Sequence, residues 1–366
     1  MARIAYVDHS YHAKTRSTQF LPDMLSRRGH IVDFFWNDAW QGGKETAFCQ
    51  VADYDVVIMF QCRCTAKELY YRKLHPNVIF IPMLDAYRIA AGPQHNLAPH
   101  FESFQGCKIL SFSSAVHSIA TAFGILSLNV RYYQEPVTCL LPTNGFRGFF
   151  WIRHEQYVSW PMVRTLLGES TFTGLHVHIA PDPGSPAPSL PSTEEMRKYN
   201  ITTSTWFENK KDLLDILERS NIYFAPRREE GIGQSFLEAM ARGQCVVAPD
   251  NGTMNEYIIH GLNGLLYSHD HVTPLDFSCF EELGRNAQKS VESGAARWRE
   301  QEKRVEDFIL TPSEKLYHGF YQYVPLLPSQ RQRIRQHPLV RKTIQFLHPV
   351  WRLVKLLCGF SKNKIL

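Results

Sequence analysis

The fold of this chain is decided by the stretch NIYFAPRREEGIGQSFLEAMARGQCVVAPDNGTMNEYIIHGLNGLLY, residues 221–267. Its first apolar run ends at Pro226 and predicts a buried strand. A Gly-Ile-Gly loop follows at 231–233, and the pattern of a helix begins near Gln234. Glycines let a ligand approach the backbone closely, and the free N–H groups at a helix start attract anions. The stretch therefore predicts a strand, loop and helix that bind an anion such as a diphosphate.

Two carboxylates flank the start of this helix. Glu230 precedes the helix, and Glu238 lies eight positions further on, about one turn inside it. Such a pair can reach two ends of one extended ligand, and carboxylates accept hydrogen bonds from the vicinal hydroxyls of sugars and riboses. The alternatives are a solvated loop acid for Glu230, beside Arg227 and Arg228, and an exposed helix face for Glu238.

The same alternation of short apolar runs and longer helical segments extends on both sides of this stretch. It is typical of an α/β chain with parallel, doubly wound sheets. The segment 142–145, Pro-Thr-Asn-Gly, is interpreted as a linker between two nucleotide-type halves of about equal size. The predicted strands are 3–8, 31–36, 54–60, 77–82 and 108–113 in the first half and 148–153, 175–180, 203–207, 222–226 and 245–249 in the second.

Helical patterns and loops complete the predicted organisation. A segment with five prolines, 181–193, is expected to be an extended surface loop, and the sequence beyond 277 is helical. Other helices are expected at 15–28, 155–167, 210–219 and 234–242. The predicted domains are two α/β halves, 1–145 and 146–310, followed by a crossing helix region at 311–329 and a basic tail at 330–366.

Composition and charge restrict the function classes. The 366 residues are 44% hydrophobic and 20% charged, which is typical of a globular protein long enough for two domains. The formal net charge of +5 is unevenly placed, because 330–366 holds nine Lys or Arg and no Asp or Glu. The remaining part, 1–329, has 31 basic and 35 acidic residues. A uniformly basic nucleic-acid binder is therefore excluded, and no nucleic-acid partner is expected.

Neither a membrane span nor a signal peptide is indicated, so a cytoplasmic location is expected. The eight cysteines lack the spacing of a disulfide framework, and Cys62 and Cys64 form a single CxC that favours reduced structural thiols over a metal or redox site. Asp53 and Asp55 form a D-x-D, but a strand follows at once, which favours a turn. No metal and no cofactor are expected.

The stretch 221–267 resembles the carboxy-terminal signature of the retaining nucleotide-sugar glycosyltransferases of family 4, which have the GT-B fold of two facing Rossmann-like domains. The resemblance extends more weakly over 148–325. The matching elements are E-G-I-G at 230–233, E-A-M-A-R-G at 238–243, the apolar strand V-V-A at 246–248, the loop 251–256 with Gly252 and Glu256, and G-L-N-G at 261–264.

The resemblance implies roles for individual residues. Glu230 would hold hydroxyls of the donor sugar, and Glu238 would hold those of the ribose. Glu256 would orient the donor region from the following loop, which also contains Gly252. The backbone amides of the Gly-rich loop would hold the sugar and the phosphates; the loop and helix-start residues are Gly231, Ile232, Gly233 and Gln234.

One cation of the family pattern is missing. The family places an Arg after the first strand of the second half, and Arg153 matches it. The family also places a Lys in the next helix start, which here falls near Ser159, and no Lys occurs between 148 and 197. Either Arg153 and another cation such as Arg164 neutralise the diphosphate, or the enzyme is slow or inactive.

The amino-terminal half matches the family less well. The segment 9–17, HSYHAKTRS, replaces a Gly-Gly turn, and its Lys14 and Arg16 either face the donor phosphates or an anionic acceptor or lie in a solvated loop. Asp85 follows a middle strand and either binds an acceptor hydroxyl, acts as its base, or caps a helix.

The tail has the pattern of a basic amphipathic helix. Its basic residues together with its apolar stripe suit an anionic membrane surface. A helix packed back across the two domains is the alternative. The stripe consists of Val340, Ile344, Leu347, Trp351, Val354 and Cys358.

The resemblance thus implies a metal-independent glycosyltransferase on the cytoplasmic side, peripheral to a membrane if the tail binds one. It would move a sugar from a nucleotide-diphosphate donor, as co-substrate, to a glycan or lipid-linked glycan acceptor of a cell-surface polysaccharide, with retention. A catalytically silent homologue that binds a sugar nucleotide or glycan in an assembly complex is the alternative from another class, and a GT-B epimerase or phosphorylase is a further one.

Overall fold

The computed structural model describes residues 1–61, 75–87, 97–102, 104, 106–182, 184–207 and 209–317. The predicted tail, most of the region 311–329, and both cysteines of the CxC lie outside the described residues. No helix in the described part of the chain is long and apolar enough to cross a membrane.

The first half forms a parallel sheet of six strands in the order β2-β1-β3-β4-β5-β6. Its inner strands are almost fully buried, as expected for a sheet covered on both faces. The strands are β1 (Arg3–Asp8), β2 (Ile31–Trp36), β3 (Val56–Phe60), β4 (Val78–Ile81), β5 (Lys108–Ser111) and β6 (Leu126–Asn129), and the helices are α1 (Ser10–Thr15), α2 (Phe20–Arg27), α3 (Ala98–Glu102) and α4 (Ser114–Ala122).

Two details of this half differ from the prediction. The helix expected at 15–28 begins only at Phe20, as α2, and a separate short helix, α1, precedes it and ends at Thr15 because Arg16 has a left-handed backbone (φ 55°). The strand β6 was not predicted, because its sequence LSLN offers only two apolar side chains and it lies at the sheet edge.

The second half forms another parallel sheet of six strands, in the order β12-β11-β10-β7-β8-β9. The predicted α/β class with two Rossmann-like sheets is therefore confirmed. The strands are β7 (Phe146–Ile152), β8 (Phe172–Ile179), β9 (Ile201–Ser204), β10 (Ile222–Phe224), β11 (Cys245–Pro249) and β12 (Leu265–Tyr267), and the helices are α5 (Trp160–Leu167), α6 (Thr193–Lys198), α7 (Lys210–Leu217), α8 (Gln234–Ala241) and α9 (Met254–Tyr257).

A single helix of 31 residues, α10 (Phe280–Leu310), joins the two halves. Near its start Gly284 lies against the second half, where an added Cβ would be 2.1 Å from the Gly243 carbonyl oxygen. At its end the buried Lys108 Nζ of the first sheet donates to the carbonyls of Phe308 (2.6 Å) and Thr311 (2.5 Å). The crossing is therefore complete by residue 311, earlier than the predicted region 311–329, and only α11 (Ser313–Tyr317) follows in the described chain.

Candidate active site

The second sheet places the quoted stretch at its switch point. Strands β7 and β10 are neighbours in the middle of the sheet, and the chain continues outward from them in opposite directions. Ligands of open α/β sheets bind in the crevice that forms outside the carboxyl ends of such strands. Arg153 follows β7, and the loop that begins at Arg227 follows β10. Arg153 and the loop that begins at Arg227 therefore lie at the position where a ligand is expected.

Five charged side chains form a cluster there, which we call the charge cluster. It contains Arg153, Asp182, Arg227, Asp85 and Glu230. The Arg153 Nη2 and Asp182 Oδ1 atoms are 2.7 Å apart, and Asp182 Oδ2 lies 3.3 Å from Arg227 Nη2. Arg227 Nη1 in turn lies 2.9 Å from Asp85 Oδ2. This last pair joins the two halves, because Asp85 follows β4 of the first sheet.

Glu230 is the carboxylate of the charge cluster whose pKa is raised by burial. Burial raises its pKa to about 7, although the nearby Arg227 opposes the shift, and the negative charge of Asp85 adds to it. Its backbone N–H donates to the Gly252 carbonyl at 3.1 Å, which ties the loop to the neighbouring one. Glu230 is therefore not the solvated loop acid that the alternative interpretation described.

The Gly-rich loop presents free backbone donors. The N–H groups of Ile232, Gly233 and Gln234 make no hydrogen bond to any residue in the described part of the chain. Gly233 is the N-cap of the eight-residue helix α8 and has a φ of +80°, and an added Cβ would lie 1.8 Å from the Phe236 ring. This position therefore requires glycine, and the three N–H groups and the helix dipole can receive an anion.

The first half packs directly against this loop. An added Cβ on Gly231 would lie 2.5 Å from Met83 Sδ, and one on Gly252 would lie 2.6 Å from Leu84 Cδ2. These two glycines allow the segment before Asp85 to approach the backbone closely. Asp85 itself stands in a short 3₁₀ turn, where its Oδ1 is buried without a hydrogen-bond partner.

The two remaining glutamates have different surroundings. Glu238 lies on α8 with about a third of its side chain exposed (35%), and its nearest cation is Arg242, at 4.0 Å. Glu256 lies on α9, and its carboxylate accepts hydrogen bonds from the Ser114 N–H (2.8 Å), the Ser114 hydroxyl (2.7 Å) and the Ser113 hydroxyl (3.1 Å). Glu256 therefore contacts the start of α4 in the first half, and its predicted role toward the donor stays a prediction.

The other predicted cations lie outside the charge cluster. Lys14 and Arg16 are exposed and form no ion pair with a described residue. Arg164 lies on α5, where its Nη1 is 2.8 Å from Glu195 Oε1. In the segment 9–17 it is His12 that contacts an acid. Its Nδ1 lies 2.7 Å from the buried Asp8 carboxylate at the end of β1.

Sequence reasoning missed two members of the charge cluster, Arg227 and Asp182. Each follows the carboxyl end of a strand, β10 and β8 respectively, which is a signal that the sequence contains. Within the described residues no group of three or more His, Cys, Asp or Glu side chains could hold a metal ion. The expectation of a metal-independent reaction stays a prediction.

Comparison with known proteins agrees with this geometry. The model of the family described as glycosyl transferases group 1 matches residues 192–274, which include the Gly-rich loop and α8. This match confirms the resemblance found in the quoted stretch. No curated protein matches the chain.

Solved structures with a similar fold cover most of the chain. Sucrose-phosphate synthase from Thermosynechococcus elongatus is 12% identical, with a TM-score of 0.58 over 84% of this chain and 99% of its own. Anabaena HepE in complex with UDP-glucose is 14% identical, with a TM-score of 0.53 over 84% and 100%. The lipopolysaccharide outer core galactosyltransferase WaaB is 15% identical, with a TM-score of 0.55 over 84% and 99%. Residues 192–274 thus carry the signature of the group 1 glycosyl transferases, within a chain that has the GT-B fold.

Proposed function

We propose that this protein is a glycosyltransferase that moves a sugar from a nucleotide-diphosphate sugar to a glycan or lipid-linked glycan acceptor, with retention at the anomeric carbon and without a metal ion. One observation carries the proposal. The N–H groups of Ile232, Gly233 and Gln234, which bond to no described residue, lie at the start of a helix at the switch point, beside Arg153 and Arg227. This combination suits a diphosphate.

The diphosphate would replace the carboxylates as the partner of the two arginines in the charge cluster. Arg153 and Arg227 are held by Asp182 and Asp85, and an incoming diphosphate offers stronger bidentate partners to both guanidinium groups. Arg227 would then be the second cation at the diphosphate, in place of the Lys that this chain lacks. Negative charge that develops on the leaving diphosphate would be stabilised by two arginines and the N–H groups of the loop.

Glu230 would hold hydroxyls of the donor sugar and Glu238 those of the ribose. The raised pKa of Glu230, about 7, means that its carboxyl group can accept or donate a hydrogen bond near neutral pH. The partly exposed Glu238, eight residues further along, can reach the other end of an extended donor. The two glutamates would orient the anomeric carbon and leave the proton transfer to other groups.

The proton of the acceptor hydroxyl would pass to the leaving phosphate on the same face of the sugar, which is consistent with retention. Asp85 would face the acceptor once the diphosphate has taken Arg227 from it, and its unpaired Oδ1 would bind an acceptor hydroxyl. The phosphate is the proton acceptor in this scheme, so the site's own groups position the reactants.

The similar structures support the class of donor and acceptor. HepE has been solved with UDP-glucose, which supports a nucleotide sugar as the donor. WaaB is a galactosyltransferase of the lipopolysaccharide outer core, which supports a cell-surface glycan as the acceptor. We propose a cytoplasmic location for the reaction, where the tail 330–366 would contact an anionic membrane surface.

The test is release of nucleoside diphosphate from a panel of UDP-, GDP- and dTDP-sugars with candidate acceptors. We expect acceptor-dependent release that Glu230→Ala abolishes while Glu194→Ala, an exposed acid on α6, leaves it unchanged. Turnover that is unchanged in Glu230→Ala would contradict the site. Donor binding without release by the wild-type protein would instead support the silent homologue.

A second test addresses the tail. The full chain should sediment with vesicles that contain anionic lipid, because each basic residue near such a surface contributes about 1 kcal/mol. The truncation 1–329 should lose this binding. Equal binding of both proteins would contradict a membrane role for the tail.

A further inference from the structure

A cavity outside the charge cluster lies between α10 and the segment that leaves β6. Its volume is about 300 Å³, at the lower end of the range for small-molecule sites. Tyr133 and Gly294 form one wall, where an added Cβ on the glycine would lie 2.4 Å from the tyrosine ring. The polar side chains that line the cavity are Asn129, Arg131, Arg297, Gln301 and Arg304.

The three arginines of this cavity have no acidic partner among the residues that the structure describes. Arg297 and Arg304 lie on one face of α10, seven positions apart, and Arg131 faces them from the segment after β6. In the described part of the chain no carboxylate oxygen lies within 4.0 Å of their guanidinium nitrogens. By contrast, Arg285 and Arg299 of the same helix are paired with Glu281 and Glu135.

Asn129 adds an unpaired acceptor to the same cavity. Its Oδ1 is buried without a hydrogen-bond partner, while its Nδ2 donates to the Ser114 hydroxyl at 3.2 Å. Buried polar atoms are nearly always hydrogen-bonded, so an orphaned oxygen on a cavity wall indicates a missing donor such as a ligand hydroxyl. Ser114 in turn bonds to Glu256, so the cavity lies next to the contact between the halves.

We propose that this cavity binds a soluble phosphate ester that carries hydroxyl groups, such as a sugar phosphate. The three guanidinium groups offer paired N–H donors to the phosphate oxygens, and the phosphate relieves the repulsion among three like charges. A ligand hydroxyl donates to Asn129 Oδ1, and the Gln301 amide offers a further polar contact. A nucleotide-sugar donor bound at α8 uses none of these residues.

Calorimetric titration of the full chain tests this site, with glucose 6-phosphate as the probe and glucose as its uncharged control, at constant ionic strength. We expect saturable binding of the phosphate ester and none of glucose. Arg297→Gln and Arg304→Gln should each weaken binding about tenfold or more, because each removes a charge-assisted contact. Arg285→Gln removes the same charge from the same helix outside the cavity and should bind as the wild type does.

A further variant and a competition experiment sharpen the result. Asn129→Asp places a carboxylate beside the three arginines and should abolish binding. Because both α10 arginines are exposed, their variants should keep the wild-type melting temperature. Unchanged affinity in both arginine variants, absence of saturable binding to the wild type, or displacement of glucose 6-phosphate by UDP or GDP would overturn the proposal.

Discussion

The two sides of the contact between the halves are built from different groups. On the carboxy-terminal side the candidate site consists of unpaired backbone N–H groups and two arginines, at the end of a buried strand. On the amino-terminal side it consists of side chains that already have partners, such as Asp85 with Arg227 and Ser114 with Glu256. The backbone donors of the first side are therefore ready for an anion, whereas its two arginines and the side chains of the second side must exchange their present partners before they can contact a ligand.

The largest expected effect comes from Arg227, which touches both sides. Arg227→Gln should lower kcat/KM roughly 100- to 1000-fold, because it removes a cation at the leaving diphosphate, an effect of about 3 to 4 kcal/mol. Arg228→Gln is the matched control, since Arg228 is adjacent but pairs with the exposed Asp270. Steady-state kinetics check this, and equal losses in both variants would contradict the assignment of Arg227.

The next effect tests the backbone donors of the carboxy-terminal side. Gly233→Ala should weaken donor binding at least about tenfold, because its positive φ and the Phe236 ring, 1.8 Å from an added Cβ, force the loop to move. Gly29→Ala has a similar φ of +87° and no atom within 4 Å, so it isolates the backbone strain. Donor affinity measured by calorimetry should be unchanged in this control. Unchanged affinity in Gly233→Ala would mean that the Gly-rich loop does not bind the donor.

A pH effect distinguishes Glu230 from the other acids. Burial raises its pKa from 4.5 to about 7, so in this interval the folded protein keeps a proton that the unfolded chain has lost. The free energy of unfolding should therefore fall as the pH rises from 4.5 to about 7, in total by about 3 kcal/mol. Denaturant unfolding at about pH 5 and about pH 8 should show this loss in the wild type relative to Glu230→Gln, and parallel changes in both proteins would contradict it.

The smallest effect tests the amino-terminal side. Glu256→Gln should lower the free energy of unfolding by about 1 to 2 kcal/mol, because the carboxylate accepts three hydrogen bonds from Ser113 and Ser114. Glu282→Gln, on the exposed face of α10, is the control and should change stability by less than about 0.5 kcal/mol. Denaturant unfolding measures both, and equal stability of the two variants would mean that the contact contributes little.

The sequence predicts local features of the site better than the contacts between the two halves. The strand, Gly-rich loop and helix of 222–241 could be predicted, because local constraints such as the φ of Gly233 leave a pattern in neighbouring residues. The partners of Asp85 and Glu256 could not, because they depend on which surfaces of the two halves meet. Arg227 and Asp182 lie between these cases. The sequence shows that each follows a strand, but it does not show that the two side chains pair.

A crystal structure with the nucleoside diphosphate that binds most tightly shows whether the Gly-rich loop and the two arginines bind the diphosphate. We predict that its phosphate oxygens lie within hydrogen-bond distance of the N–H groups of Ile232, Gly233 and Gln234, with Arg153 and Arg227 turned from their carboxylate partners to the diphosphate. A diphosphate bound elsewhere, with the Arg227–Asp85 pair intact, would contradict this site.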